Sequence, residues 1–173
     1  MHRQRWVFQE QGLRYDLIDA VLQITVDGRP SKNNVGNAII PVEQLEFAEY
    51  LSEHLETELF KRSVEAIVRA ENIISKYPDK IAEKLDESYL EITQEKNLFK
   101  AIQPILNTDQ DSRLTPADYL KQLHKIEPIV TSFFEDVMVM DKNPLKCGNR
   151  LWLCHQLASW SARHLNLQAI VFS

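Results

Sequence analysis

A chain of 173 residues, 44% hydrophobic and 26% charged, has the size and balance of one soluble globular domain with its own core. Four glycines in all disfavour a turn-rich β architecture, and no apolar run is long enough to span a bilayer as a helix. A net charge of −5 excludes a generally basic nucleic-acid binder, so any RNA contact calls for a local basic surface on an acidic body.

In chain order, the opening Met1-His2-Arg3-Gln4-Arg5 lacks the apolar segment of a signal peptide. Trp6-Val7-Phe8 up to Gly12 reads as the end of a helix with Gly12 in the stop position. A new helix is expected over Arg14–Leu22, with Asp16 placed to cap the amides of its first turn. Residues 23–41 hold Gly28, Pro30 and Gly36 among polar residues and read as one flexible loop. Within it, Arg29 and Lys32 read first as part of a solvated insertion and second as RNA contacts. From Val42 a helical period returns at Leu45, Ala48, Leu51 and Leu55. Its other side carries Glu43, Glu46, Glu49, Glu53 and Glu56, a face that repels a polyanion.

The next helix, Glu58 to Tyr77, turns Phe60, Val64, Ile67 and Ile74 to a core. A different face carries Arg62, Glu65, Arg69, Asn72 and Lys76 at steps of three and four. Three cations and an amide in one row span about 20 Å of helical rise. Guanidinium forks suit phosphate oxygens or a guanine edge, and asparagine pairs with base edges. The same residues are open to a structural role, with Arg69 tying down a carboxylate and Asn72 bridging a helix end. Pro78 ends this helix. A charged stretch with weak apolar spacing runs to Ile92, and a short helix from Gln94 is expected to stop near Pro104. A polar loop covers residues 107–113.

Thr115-Pro116-Ala117-Asp118 has the form of a helix start: a hydroxyl cap, proline in the first turn and an acid at the third position. Apolar residues then recur at Tyr119, Leu120, Leu123, Ile126, Val130, Phe133, Phe134 and Val137. Pro128 is expected to kink this helix near His124. The turn Asp141-Lys142-Asn143-Pro144 leads into a second stripe at Leu145, Trp152, Leu153, Leu157, Trp160 and Leu167. The pattern predicts a helical hairpin whose two rods lie antiparallel and bury their stripes against each other and a third partner. Met138 and Met140 read as core filling. The tail Gln168–Ser173 is apolar and is expected to pack down. The fold class expected is all-α, a helical bundle in one domain over residues 1–173.

This region also carries a family resemblance. Phe133-Phe134-Glu135-Asp136-Val137-Met138-Val139-Met140, followed by Leu145 and then Asn149-Arg150-Leu151, resembles the C-terminal end of the bacterial glycyl-tRNA synthetase beta subunit. The family form reads F-F-D-x-V-M-V-M and then L-R-x-N-R-L. Tyr15-Asp16 through Asp19-Ala20-Val21-Leu22 is similar to the family's Y-D-x-I-D-A-V-L, and Arg69, Asn72 and Ile73 match its K-R-x-x-N-I, with Val68 in place of the lysine. Lys146 replaces an arginine and Thr131 an acid. The family places further domains before this point, so the resemblance implies an excised fragment of a longer chain.

The resemblance implies an anticodon-binding domain of the kind shared with arginyl-tRNA synthetase. Such a domain grips tRNA(Gly), while the alpha subunit joins glycine to the tRNA with ATP and Mg. The domain itself carries no cofactor. Expected RNA contacts are Arg62, Arg69, Asn72 and Lys76, with Arg14 and Arg150 behind them. For Asn149 and Arg150 an internal salt bridge with Glu135, Asp136 or Asp141, tying the two helices, is the first reading and RNA contact the second. Other implied partners are the rest of the beta subunit and the alpha subunit, in the cytoplasm. A second class of function is a helical module that docks onto the synthetase assembly.

No catalytic signature competes with these readings. There is no G-x-S-x-G elbow, no phosphate-cradling glycine loop and no H-E-x-x-H. Cys154 and His155 are adjacent and point about 100° apart on a helix, a poor metal grip. Cys147 and Cys154 lie two helical turns apart, about 10 Å, too far for a disulfide.

Overall fold

The computed structural model describes residues 10, 12–22, 25–26, 29–30, 42–107 and 114–172. Its described part is built from six α-helices: α1 Tyr15–Leu22, α2 Val42–Ser52, α3 Glu58–Lys76, α4 Thr93–Leu106, α5 Pro116–Asp136 and α6 Pro144–Ala162. The all-α expectation holds. Thr25–Val26 pairs antiparallel with Arg29–Pro30 in a two-residue ladder. The rest of the 23–41 loop, with Trp6-Val7-Phe8 and most of the 107–113 loop, lies outside the described residues. The side chains of Arg29 and Lys32 lie outside them too. Gly12 has φ of 74°, the left-handed conformation a helix-stopping glycine adopts.

The helix starts follow from local chemistry. Thr57 caps α3, its hydroxyl oxygen accepting from Phe60 N at 3.3 Å. Thr115 does the same for Asp118 N at 3.1 Å, with Pro116 next in line. Asn143 caps α6 by accepting from Leu145 N at 2.9 Å, and Pro144 follows it. The elbow between α5 and α6 is therefore where the sequence places it. The helix ends are less predictable. α4 runs past Pro104 to Leu106, and α5 runs unbroken past Pro128, which is exposed.

The core joins Leu17, Leu51, Phe60, Ile67, Leu98, Ile102, Leu123, Phe133, Leu151 and Leu157 from all six helices. α3 is its axis, packed against both α5 and α6. Contacts from Arg62 to Glu127 and from Arg69 to Phe134 show α3 and α5 running parallel. The expected hairpin needs correction here. α5 and α6 approach each other little along their lengths, because α3 and α4 lie against both of them. Their direct junction is at the far end from the elbow, where Tyr119 Oη and Ser161 Oγ are hydrogen-bonded at 2.9 Å. There the Tyr119 ring packs against Trp160 and His164. The helix also ends at Asp136, short of the apolar run. Residues 137–139 are not helical: Val137 and Val139 are buried and Met138 between them is 75% exposed. That is the two-residue alternation of extended chain, so Met138 does not fill core. The tail packs as expected, with Leu167 and Ile170 buried and the Phe172 ring 6.2 Å from Phe60.

Candidate RNA-binding surface

Two polar systems emerge, one sealed and one open. The sealed one is built on the Gly148-Asn149-Arg150 run at the start of α6. Arg150 is 3% exposed. Its Nε donates to Glu95 Oε1, and its Nη1 donates to Asp141 Oδ2 at 2.7 Å and to the Met138 carbonyl at 2.9 Å. The second oxygen of Glu95 accepts from the Glu91 and Ile92 amides, both at 2.8 Å, closing the start of α4. Burial opposes the Arg150 charge, yet the bonds to Glu95 and Asp141 outweigh it and hold its pKa above the ordinary arginine value. The Asn143 amide and then Arg150 hold the Asp141 carboxyl below its usual range.

Asn149 clamps the backbone of residue 86 with both ends of its amide: Oδ1 accepts from Asp86 N at 3.1 Å, and Nδ2 donates to Asp86 O at 2.6 Å. At Gly148 a Cβ would sit 3.3 Å from both Ala82 Cβ and the Lys80 carbonyl, so the glycine permits this close approach. The expected RNA contact of Arg150 is thus corrected. Its guanidinium is consumed by two carboxylates and a carbonyl that join α4, α6 and the elbow.

Arg14 is also largely committed. It binds Asp16 at 2.7 Å, the Val171 carbonyl, and more loosely Glu56 at 3.5 Å. Asp16 in turn accepts from Val171 N at 2.9 Å, so the pair ties the tail to α1. Burial raises the Asp16 pKa, but the bonds from Arg14 and Val171 prevail and keep the carboxyl below its usual range. With its side chain 38% exposed, Arg14 remains at the surface.

The open system is the α3 row. Arg62, Glu65, Arg69, Asn72 and Lys76 are all exposed. The Arg62 side chain is 60% exposed, and its Nε stands 3.7 Å from Glu127. The Arg69 guanidinium lies 4.6 Å from the centre of the Phe134 ring, with a long contact of 3.5 Å to the Phe134 carbonyl. Stacking fixes its plane while leaving its outer donors to solvent. The side chains of Asn72 and Lys76 have no polar partner among the described residues. Beyond Lys76, Lys80 sits 5.1 Å over the Tyr77 ring. Sequence reasoning did not single out this pair, although a tyrosine among lysines past a helix end was its signal.

The acidic stretch covers α2 and the turn after it: Glu46, Glu49, Glu53 and Glu56 are exposed, and the Glu43 side chain is outside the described residues. Cys147 and Cys154 are buried and unpaired, and burial pushes the Cys154 thiol up to about 12. Among the described residues no His, Cys, Asp and Glu group is arranged to hold a metal, and no helix is long and apolar enough to cross a membrane.

Among the described residues, six packed helices leave the Arg62–Lys76 row of α3 exposed. Residues 63–170 match the DALR anticodon binding domain, and the chain belongs to that family. The matched span holds Arg69, Asn72, Lys76 and the buried Arg150, and begins just after Arg62. Among characterised proteins, the chain is similar to the glycine–tRNA ligase beta subunit of Lactobacillus acidophilus, 28% identical over 98% of this chain and 22% of the relative. It is also similar to that of Listeria welshimeri, 31% identical over 92% of this chain and 21% of the relative. The beta subunit of Streptococcus pneumoniae is 33% identical over 74% of this chain and 18% of the relative. The chain thus spans about a fifth of the length of the curated relatives it matches.

Proposed function

We propose that this chain recognises the anticodon arm of glycine tRNA as one module of a glycine–tRNA ligase beta subunit. The observation that carries the reading is the open Arg62–Arg69–Asn72–Lys76 row on a chain of the anticodon-binding family. Arg62, Arg69 and Lys76 hold the phosphates, and Asn72, between two cations, meets a base edge. Arg14 is a peripheral contact. The module catalyses nothing itself. The alpha subunit supplies the site where ATP and Mg drive the joining of glycine to tRNA, in the cytoplasm. The rest of the beta subunit positions the module.

A charge reversal, Arg69→Glu, tests this. Binding of glycine tRNA by this chain, measured by anisotropy at fixed salt, is expected to weaken about tenfold or more. Unchanged binding would refute it. A protein-docking role is the second reading, favoured by Met138 at 75% and Leu145 at 55% exposure beside the elbow. In that case tRNA affinity is insensitive to Arg69, and subunit assembly responds to Met138→Lys.

A further inference from the structure

α4 and α5 run antiparallel, with Gln94 near the start of one bonded at 2.7 Å to Asp136 at the end of the other. Between them lies a groove of about 500 Å³, on the flank of α5 turned away from α3. Glu127 and Phe134 face α3, whereas Gln122, Lys125 and Ile129 fall on the other side of the helix. Ala101, Pro104, Ile105, Ile126 and Ile129 line the groove with aliphatic surface over about two helical turns.

Four lysines border this surface. Lys100 and Lys125 line the groove itself, and Lys96 and Lys121 stand one turn before them on the same helix faces. All four are exposed, and none forms an ion pair or side-chain hydrogen bond with a described residue. Asp118 and Asp136, at the two ends of α5, are already engaged: the first accepts from the Thr115 hydroxyl at 2.8 Å, the second from Gln94. On a chain of net charge −5, such a cluster of unanswered cations is a local inversion of charge. The lining holds no aromatic ring and no arginine, unlike the α3 row with its Arg69–Phe134 stack. Bases have nothing here to stack on, which favours a protein over RNA.

We propose that this groove seats an acidic amphipathic helix from the rest of the beta subunit, its apolar stripe on the isoleucines and its carboxylates on the four lysines. Two aliphatic walls about two turns long suit the apolar anchors that such a helix presents at steps of three and four. Complementary charge on the rim fixes its register. The matched region is 22% and 21% of two curated relatives, so most of their length is available to supply the occupant. The inference rests on the part of the reading above that makes this chain a module of a beta subunit. It assigns the docking to α4 and α5 rather than to the RNA-facing row or the elbow.

The test is lysine acetylation by acetic anhydride, followed residue by residue by mass spectrometry, on this chain alone and on the intact beta subunit. In the intact subunit the four groove lysines are expected to react about tenfold more slowly, as for a site closed about nine-tenths of the time, while Lys76 and Lys80 keep their rates. A zero-length carbodiimide should couple Lys100 or Lys125 to a Glu or Asp of the remainder. Lys100→Glu combined with Lys125→Glu should return Lys96 and Lys121 to the rate of the isolated chain, whose thermal unfolding the pair of changes leaves unaltered. Equal groove reactivity in the two proteins overturns the proposal. So does protection that appears only on adding glycine tRNA, which would give the groove to RNA, or only as the concentration of this chain rises, which would give it to a second copy. Lys76 and Lys80 are the separate readout of RNA binding: failure of tRNA to protect them refutes that reading and leaves the groove result standing.

Discussion

Arg150 and Arg69 are both arginines on helices of the family-matched region, and their surroundings give them opposite uses. Arg150 is enclosed by Glu95 and Asp141, with every partner supplied by the chain. Arg69 rests on an aromatic face with one long contact to a carbonyl, and its charge is left for something else. The difference follows from position on a helix. Arg150 points into the junction where α4 begins and the elbow closes, so its charge must be neutralised there. Arg69 projects from the rim of α3, where water already solvates it. A sealed ion network organises the fold, and an open row is available to a ligand.

The comparison is broken most severely at Arg150. Arg150→Ala leaves the Glu95 carboxylate buried without its cation and should cost about 3–5 kcal/mol, read as a lower urea midpoint. Glu71→Gln comes next and acts in the stabilising direction. The folded Glu71 carboxyl titrates near 7 against an ordinary 4.5, so the native state binds more protons between those values. Native stability therefore falls as pH rises through that window and levels off above it. At about pH 8 the amide should add roughly 2 kcal/mol, and at about pH 4 almost nothing, so urea melts at the two pH values separate the cause.

Asn149→Ala orphans the amide and carbonyl of Asp86 and should cost about 1–2 kcal/mol. The 78–92 segment should then gain in amide hydrogen exchange relative to α3. Smallest in stability is Arg69→Glu, which loses one exposed cation–π contact and should shift unfolding by only about 0.5–1 kcal/mol. The same change should flatten the salt dependence of tRNA binding, lowering the log–log slope by about one. A large loss of stability at Arg69 with unaltered RNA affinity would erase the contrast between the two arginines.

Much of the architecture was legible in the residues. Helical period located α3, α5 and α6, and the Thr57, Thr115 and Asn143 caps fall where side-chain oxygen chemistry puts them. The exposure of the α3 row was legible too, because its five polar residues share one face while Phe60, Val64, Ile67 and Ala70 take the opposite one. The Phe133–Arg150 motif was legible as a signature, and the internal salt bridge weighed for Arg150 holds at Asp141, while its RNA contact does not. Its asparagine and arginine face Asp86, Glu95 and Asp141, and the first two lie 63 and 55 positions earlier in the chain. The end of α5 at Asp136 and the exposure of Met138 were hidden for a related reason: a short apolar run suits a buried helix and a half-buried extended segment equally well.

What the sequence determined by itself was local: which segments coil, where they begin, and which face of each is apolar. Those properties depend on side chains within a turn or two of one another. What only the tertiary structure decided was the fate of each polar group. α3 lies against both α5 and α6 and keeps their stripes largely apart, while the start of α4 and the elbow seal Arg150. Such outcomes turn on distances between residues far apart along the chain, and a carboxylate's proximity to a guanidinium has no counterpart in spacing alone.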